Sequence, residues 1–330
     1  MHTFVTRKVQ NEMLKTTIAV FGAGGVGGYF GAVLARAGYR VVFIARGAHL
    51  KAIRKDGLHI RSLKGDFNIT PAQVTDNPAD VEPVDAVILG VKTWQLPEAA
   101  RAMRPLLAPT TKVLPLQNGV EAADRLQQVL GSQHTLVGLC RIISSVTAPG
   151  HIYHAGMEPT ITLGEPDGSV LSASGQALAD ALRAAGVVVE TPPDIQAALW
   201  AKLVFIAAVS GAGAVARATI GEVRECPPAH QLLSQLMEEV VAVAQARGIR
   251  LAEDIITRTL AFVESLPASA QASMQRDIVD GKPSELEEII GAVVRLGAQR
   301  GIATPMMNCV YASLLPQELR ARGNPILEAR

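Results

Sequence analysis

The chain divides by the period of its apolar positions. Up to about residue 190, short apolar runs alternate with stretches of helical spacing. Beyond Thr191-Pro192-Pro193 nearly every pattern is helical. The runs at 18–21, 41–44, 85–91 and 112–116 have the continuous apolar character of buried parallel strands. Between the first two, Val26, Phe30, Val33, Leu34 and Ala37 recur on one helical face, and Gly38 supplies the stop. Further helices are predicted over 48–55, 98–107, 120–130 and 170–185. Residues 58–69 alternate and turn at Lys64-Gly65, which predicts a hairpin. Extended chain is expected over 135–146 and 150–163, with a last strand at 187–190. The second half predicts helices over 195–216, 229–247, 252–265, 285–300 and 306–315, with Gly248 and Gly301 as stops. The fold class is therefore α/β: a Rossmann-type doubly wound sheet over 15–192, then an all-helical domain over 193–330. Residues 1–14 read as a flexible extension without the apolar core of a signal peptide.

Composition narrows the function. With 330 residues, 48% hydrophobic and 18% charged, the chain can bury two cores. A net charge of +1 and 4% aromatic residues leave no footprint for nucleic acid. Cys140, Cys226 and Cys309 form neither a disulfide framework nor a metal spacing, so the expectation is a reducing cytoplasm and no metal. The stretch 199–216 is the nearest to a membrane span. Lys202 interrupts it, and a buried core helix is the better reading.

The first strand runs directly into Gly22, Gly24 and Gly27 at G-x-G-x-x-G spacing, with Gly25 between them. In a strand–helix–strand unit this spacing gives a tight turn, a close backbone approach to a pyrophosphate, and close helix–strand packing. The amides at the helix N-terminus then face the anion. Where an NAD site places a carboxylate after the second strand, this chain has Ala45 and Arg46. A guanidinium suits a 2′-phosphate, so the cofactor expected is NADP(H). The bland alternative is a solvated loop cation. Lys92 and Asn118 also fall just past strand ends, where ligands of such sheets sit.

GAGGVGG at 22–28, GVKTWQ around Lys92 and LQNGV around Asn118 occur in order. TAPGHIYHAG, LGEPDG, WAKL at 200–203 and SMQRDIVDGKPSELEEIIG at 273–291 follow. In these landmarks the chain, from about residue 14 onward, resembles the ketopantoate reductase (2-dehydropantoate 2-reductase) family. The resemblance implies an enzyme that reduces a small 2-oxo acid with NADPH on the way to pantothenate. It gives Lys202 the role of general acid, with Glu285 handling the substrate hydroxyl and Ser273 the substrate carboxylate. Asn118 would lie between nicotinamide ribose and substrate, and Lys92 would line the same cleft. Lysine protonates an alkoxide near neutral pH only if desolvation lowers its pKa from about 10.4. The setting LWAKLVFIAAV supplies apolar neighbours. The competing reading is a lysine that snorkels over helix surface.

One departure bears on the substrate. Where the family usually carries asparagines four and eight residues after the lysine, this chain has Ile206 and Ser210. Helical spacing puts Lys202, Ile206 and Ser210 on one face, which keeps the lysine but loses two amides and is more apolar; Ser210 is still expected among the substrate-binding residues. A paralogue acting on another branched or apolar 2-oxo acid is thus a second reading, and a non-catalytic NADP(H)-sensing protein a third. The partner expected is the small acid, with no nucleic acid and no membrane, and a homodimer is left open. Glu287 and Glu288 read as solvated, the histidines, His49 among them, as core or surface residues, and Trp94 and Trp200 as packing.

Overall fold

The computed structural model describes residues 16–324, so the expected extension over 1–14 lies outside the described residues. The chain forms two compact units. The first runs to Gln117 and resumes over Ala122–Ile195, and the second comprises Asn118–Glu121 and everything from Gln196.

In the first unit, β1 (Thr17–Phe21), α1 (Gly25–Arg36), β2 (Arg40–Ile44), α2 (Gly47–Asp56), β3 (Leu58–Ser62), β4 (Phe67–Ile69) and β5 (Gln73–Thr75) follow in order. Next come β6 (Val84–Leu89), α3 (Leu96–Ala102), β7 (Leu107–Pro115), α4 (Ala122–Leu130), β8 (Val137–Ala148), β9 (His151–Gly164), α5 (Ala173–Ala184) and β10 (Val188–Glu190). A parallel sheet has the order β5-β2-β1-β6-β7. Its central strands carry runs of consecutive apolar residues because both faces are covered: Ile18 and Val20 enter one core, Ala19 and Phe21 the other.

The expected hairpin forms as β3–β4, with Gly65 at φ +99° in its turn. It does not extend the parallel sheet. It joins a second sheet, β10-β9-β3-β4, to which β8 adds antiparallel on β9. The short β5 carries too few residues for a periodic signal. Lys112 Nζ donates to Glu165 Oε2 at 2.9 Å in a buried pair, and Glu165 also accepts from Ser172 N at 3.0 Å. The LGEPDG stretch is thereby pinned to β7.

The second unit is helical. It contains α6 (Ile195–Ala216), α7 (Ile220–Glu225), α8 (Pro227–Ala246), α9 (Ile255–Ser265) and α10 (Ser273–Val279). A π-helical turn, Glu287–Gly291, then runs into α11 (Ala292–Gln299), and α12 (Pro305–Ala321) follows. α6 has a mean hydropathy of 1.8 in its most apolar stretch, two-thirds of which is buried, and Leu203, Val204, Ala207 and Ala208 are at most 1% exposed. It is a core helix of this unit. α7 and α10 were not predicted, since elements of six and seven residues are too short to show a period. α7 is held by the reciprocal cap between Thr219 and Glu222.

Candidate functional site

The residues expected to act fall into two groups, one in each unit. In the first unit, the chain leaves β1 through Gly22, whose N–H donates to Ile44 O at 3.0 Å. Gly22 has φ +97°, and a Cβ there would lie 2.8 Å from Val91 N. A Cβ at Gly27 would stand 2.2 Å from Gly22 O, and one at Gly25 would stand 2.8 Å from Ser144 O. Protein packing accounts for those three. Gly24, the N-cap of α1, differs: a Cβ there would meet nothing within 4 Å, and its φ of −70° suits any residue. Among the described residues nothing requires glycine at that position. The missing side chain leaves open space at the helix N-terminus, where a pyrophosphate can approach the backbone. α1 carries no acidic residue in its first turn, which leaves the dipole unopposed for an anion. The cradle therefore fits a dinucleotide.

His49, read from the sequence as a core or surface histidine, braces this loop. Its Nε2 bonds Ala23 O at 2.8 Å, and its Nδ1 accepts from Gly150 N at 3.0 Å. The two bonds fix one tautomer: the proton is on Nε2, because Nδ1 faces an N–H. Sequence reasoning missed this because the partners lie 26 and 101 residues away.

Arg46 caps α2 past the end of β2, and its guanidinium pairs with Glu98 at 3.1 Å with both side chains about two-thirds exposed. It is a solvated cation held by one carboxylate, open to exchange that partner for a phosphate. Lys92 is exposed at the start of a short 3₁₀ turn, with its ammonium 5.7 Å over the Trp94 ring. Gln117, the last residue before the chain leaves the first unit, donates to Leu89 O and Val91 O, both at 3.0 Å.

In the second unit, Lys202 Nζ donates to Asn118 Oδ1 at 2.9 Å, and Asn118 Nδ2 donates to Glu285 Oε2 at 2.9 Å. One amide thus ties the half-buried ammonium of α6 to a carboxylate that is 6% exposed. The amide orientation follows from the partners: turned over, it would aim its NH₂ at a cation and its oxygen at an anion. Glu285 is held from behind. The preceding Ser284 is fully buried, and its N–H and hydroxyl both bond the buried Glu318 carboxylate, at 3.0 and 2.5 Å. Glu318 went unnoticed in the sequence, since it lies beyond the helix predicted over 306–315, which continues to Ala321.

The other expected residues are less central. Ile206 is half-buried one turn after Lys202, and Ser210, two turns after it, is 2% exposed within the core. Ser273 is exposed at the start of α10, and no hydrogen bond links it to the Lys202 group. Glu288 is 5% exposed, not the solvated carboxylate the sequence suggested, while Glu287, with its side chain 43% exposed, is bonded by Arg295 and Tyr311. Trp200, at 2% exposure, is packing as expected. Among the described residues no three of His, Cys, Asp or Glu gather as a metal site requires.

The chain is similar to known proteins in sequence and fold. Residues 18–168 match the family model "Ketopantoate reductase PanE/ApbA", and residues 194–318 match its C-terminal counterpart. The 2-dehydropantoate 2-reductase of Halobacterium salinarum is 31% identical over 291 residues, covering 88% of this chain and 95% of the relative. That of Nostoc sp. is 29% identical over 300 residues, covering 90% and 93%. Among solved structures, a ketopantoate reductase from Ralstonia eutropha superposes with a TM-score of 0.84 at 33% identity, over 93% of this chain and all of that one. The D-mandelate dehydrogenase solved with NADH and anilino(oxo)acetate shares the fold, with a TM-score of 0.83 at 23% identity, over 93% of this chain and all of that one. With both halves matched and relatives above 30% identity spanning most of its length, the chain belongs to the ketopantoate reductase family of oxidoreductases acting on CH–OH groups.

Proposed function

We propose that the protein reduces a small 2-oxo acid to the 2-hydroxy acid with NADPH, and that 2-dehydropantoate, the substrate named for its relatives, is reduced to pantoate for pantothenate synthesis. The hydrogen-bonded line Lys202–Asn118–Glu285 carries this reading. When bound, the nicotinamide would supply a hydride to the ketone carbon. Gly22, Gly24, Gly25 and Gly27 would hold the pyrophosphate. Arg46 would take the 2′-phosphate in place of Glu98, which favours NADPH over NADH. Lys92 would add a cation on the same unit.

The oxygen of the ketone gains negative charge as it is reduced. Lys202 holds the proton this oxygen needs at Nζ, oriented by Asn118. Glu285, bonded by Asn118 and next to Ser284, which Glu318 anchors, would accept a hydrogen bond from a substrate hydroxyl. Such a proton donor contributes about 10²–10⁴-fold in rate. All three cysteines are free thiols, in keeping with a reducing, cytoplasmic setting.

A second reading concerns the substrate's side chain. Ile206 is half-buried on the face of α6 that carries Lys202, and an apolar neighbour there suits a branched or aromatic 2-oxo acid. Rates of NADPH and NADH oxidation across a panel of 2-oxo acids decide between the two. Highest kcat/KM for 2-dehydropantoate with NADPH supports the first reading, and a clear preference for a bulkier acid supports the second. No turnover on any acid despite tight NADPH binding overturns both.

A further inference from the structure

The segment Asn118–Glu121 belongs to the second unit, and it is held at more than its Asn118 end. At Gly119, with φ +92°, the backbone passes so close to the π-helical turn that a Cβ would stand 2.6 Å from Glu288 O. At the far end, Glu121 Oε2 accepts from Arg295 Nη2 at 2.6 Å. The other arm of the same guanidinium, Nη1, donates to Glu287 Oε1 at 2.6 Å. The second oxygen of Glu287 accepts from Tyr311 Oη at 2.6 Å. Gly291 makes room for that pair, since a Cβ there would lie 3.0 Å from both Glu287 Oε2 and the Tyr311 ring.

The network is built for rigidity rather than solubility. Arg295 and Glu121 are 34% and 20% exposed, well below the open pairs on the surface. Burial, and next to it the hydrogen bond to Glu287, push the Tyr311 phenol up to about 12, so it remains a donor at any working pH. A planar fork serves two carboxylates at once, whereas an ammonium is a point charge without that geometry. The coil that carries Glu287 is π-helical, a form concentrated at functional sites.

We propose that Arg295 is a positioning residue for the reduction: by gripping Glu121 and Glu287 together it fixes the Asn118 segment, and through Asn118 it sets the Lys202 ammonium and the Glu285 carboxylate. The inference rests on the reading of Lys202 as proton donor.

The test is a double-mutant cycle on kcat, with 2-dehydropantoate and NADPH, between Arg295→Met and Asn118→Ala. Arg295→Met lowers kcat about tenfold to a hundredfold, with a smaller change in the NADPH dissociation constant. In the Asn118→Ala background the same substitution costs less than twofold, because the residue it acts through is gone. Arg295→Lys restores only part of the loss. Glu121→Gln, which keeps the size and removes the charge, gives the same kcat deficit in a folded protein should Arg295→Met prove unstable. Wild-type kcat in Arg295→Met or in a folded Glu121→Gln overturns the inference, as do losses that simply multiply in the double variant. If Lys202→Ala and Asn118→Ala themselves keep wild-type turnover, the proton-donor reading has failed instead.

Discussion

The glycine loop of the first unit and the lysine group of the second reach their geometry by different means. The loop is fixed by close backbone approaches: Gly27 against Gly22 O within the loop itself, and Gly22 against the residues just past β6. The lysine group is fixed by side chains from three distant segments. Asn118 lies 84 residues from Lys202 and 167 from Glu285. The first is a steric device, tolerant of sequence elsewhere and intolerant of a single methyl group. The second is an electrostatic one, which needs a cation, an amide and a carboxylate to be brought together by the fold.

This difference can be probed on the cofactor side with a graded series. Gly27→Val gives the largest effect. Its side chain collides with backbone at 2.2 Å, so stability falls by about 1–3 kcal/mol or more and NADPH binding is lost. Thermal unfolding and fluorescence titration with NADPH measure the two. Gly24→Ala separates them: with open space around it, stability changes by no more than about 0.5 kcal/mol. The NADPH dissociation constant nonetheless rises about tenfold or more, equivalent to about 1.4 kcal/mol. Equal affinity in Gly24→Ala and wild type would mean that no phosphate sits over that residue.

Smaller effects follow. His49→Leu removes two hydrogen bonds to the loop and its neighbouring turn, each worth about 0.5–1.5 kcal/mol net, and weakens NADPH binding about tenfold. Turnover at saturating cofactor stays near wild type in that variant, because the lysine group is untouched. Glu98→Gln gives the smallest change. Exposed pairs of this kind are worth about 0–1 kcal/mol, so freeing Arg46 tightens NADPH binding by at most a few-fold, and rising salt erases the gain. NADH affinity should not respond, which makes the ratio of the two cofactors the useful readout.

The same contrast explains what could be read from the sequence. The glycine spacing, the strand before it and the helix after it are neighbours in the chain, so the cradle and the fold class were legible. Lys202 stood out as a cation in an apolar helix. Its bond to Asn118 did not, because no local period encodes a contact 84 residues away. His49 read only as a core or surface histidine and Glu318 drew no notice for the same reason, and Arg295 meets Glu121 across 174 residues. Glu288 was misread as solvated because three acidic residues in a short run suggest an open face. The π-helical turn instead leaves Glu288 at 5% exposure. The second sheet was missed because strand patterns give existence and not partners.

The central claim is that the ammonium of Lys202 delivers the proton, independently of how the cofactor is held. The direct measurement is kcat of Lys202→Ala alongside its NADPH dissociation constant. The account predicts turnover reduced by about 10²–10⁴-fold with the dissociation constant within about twofold of wild type. Wild-type turnover in this variant, or a loss explained wholly by failed cofactor binding, would contradict it.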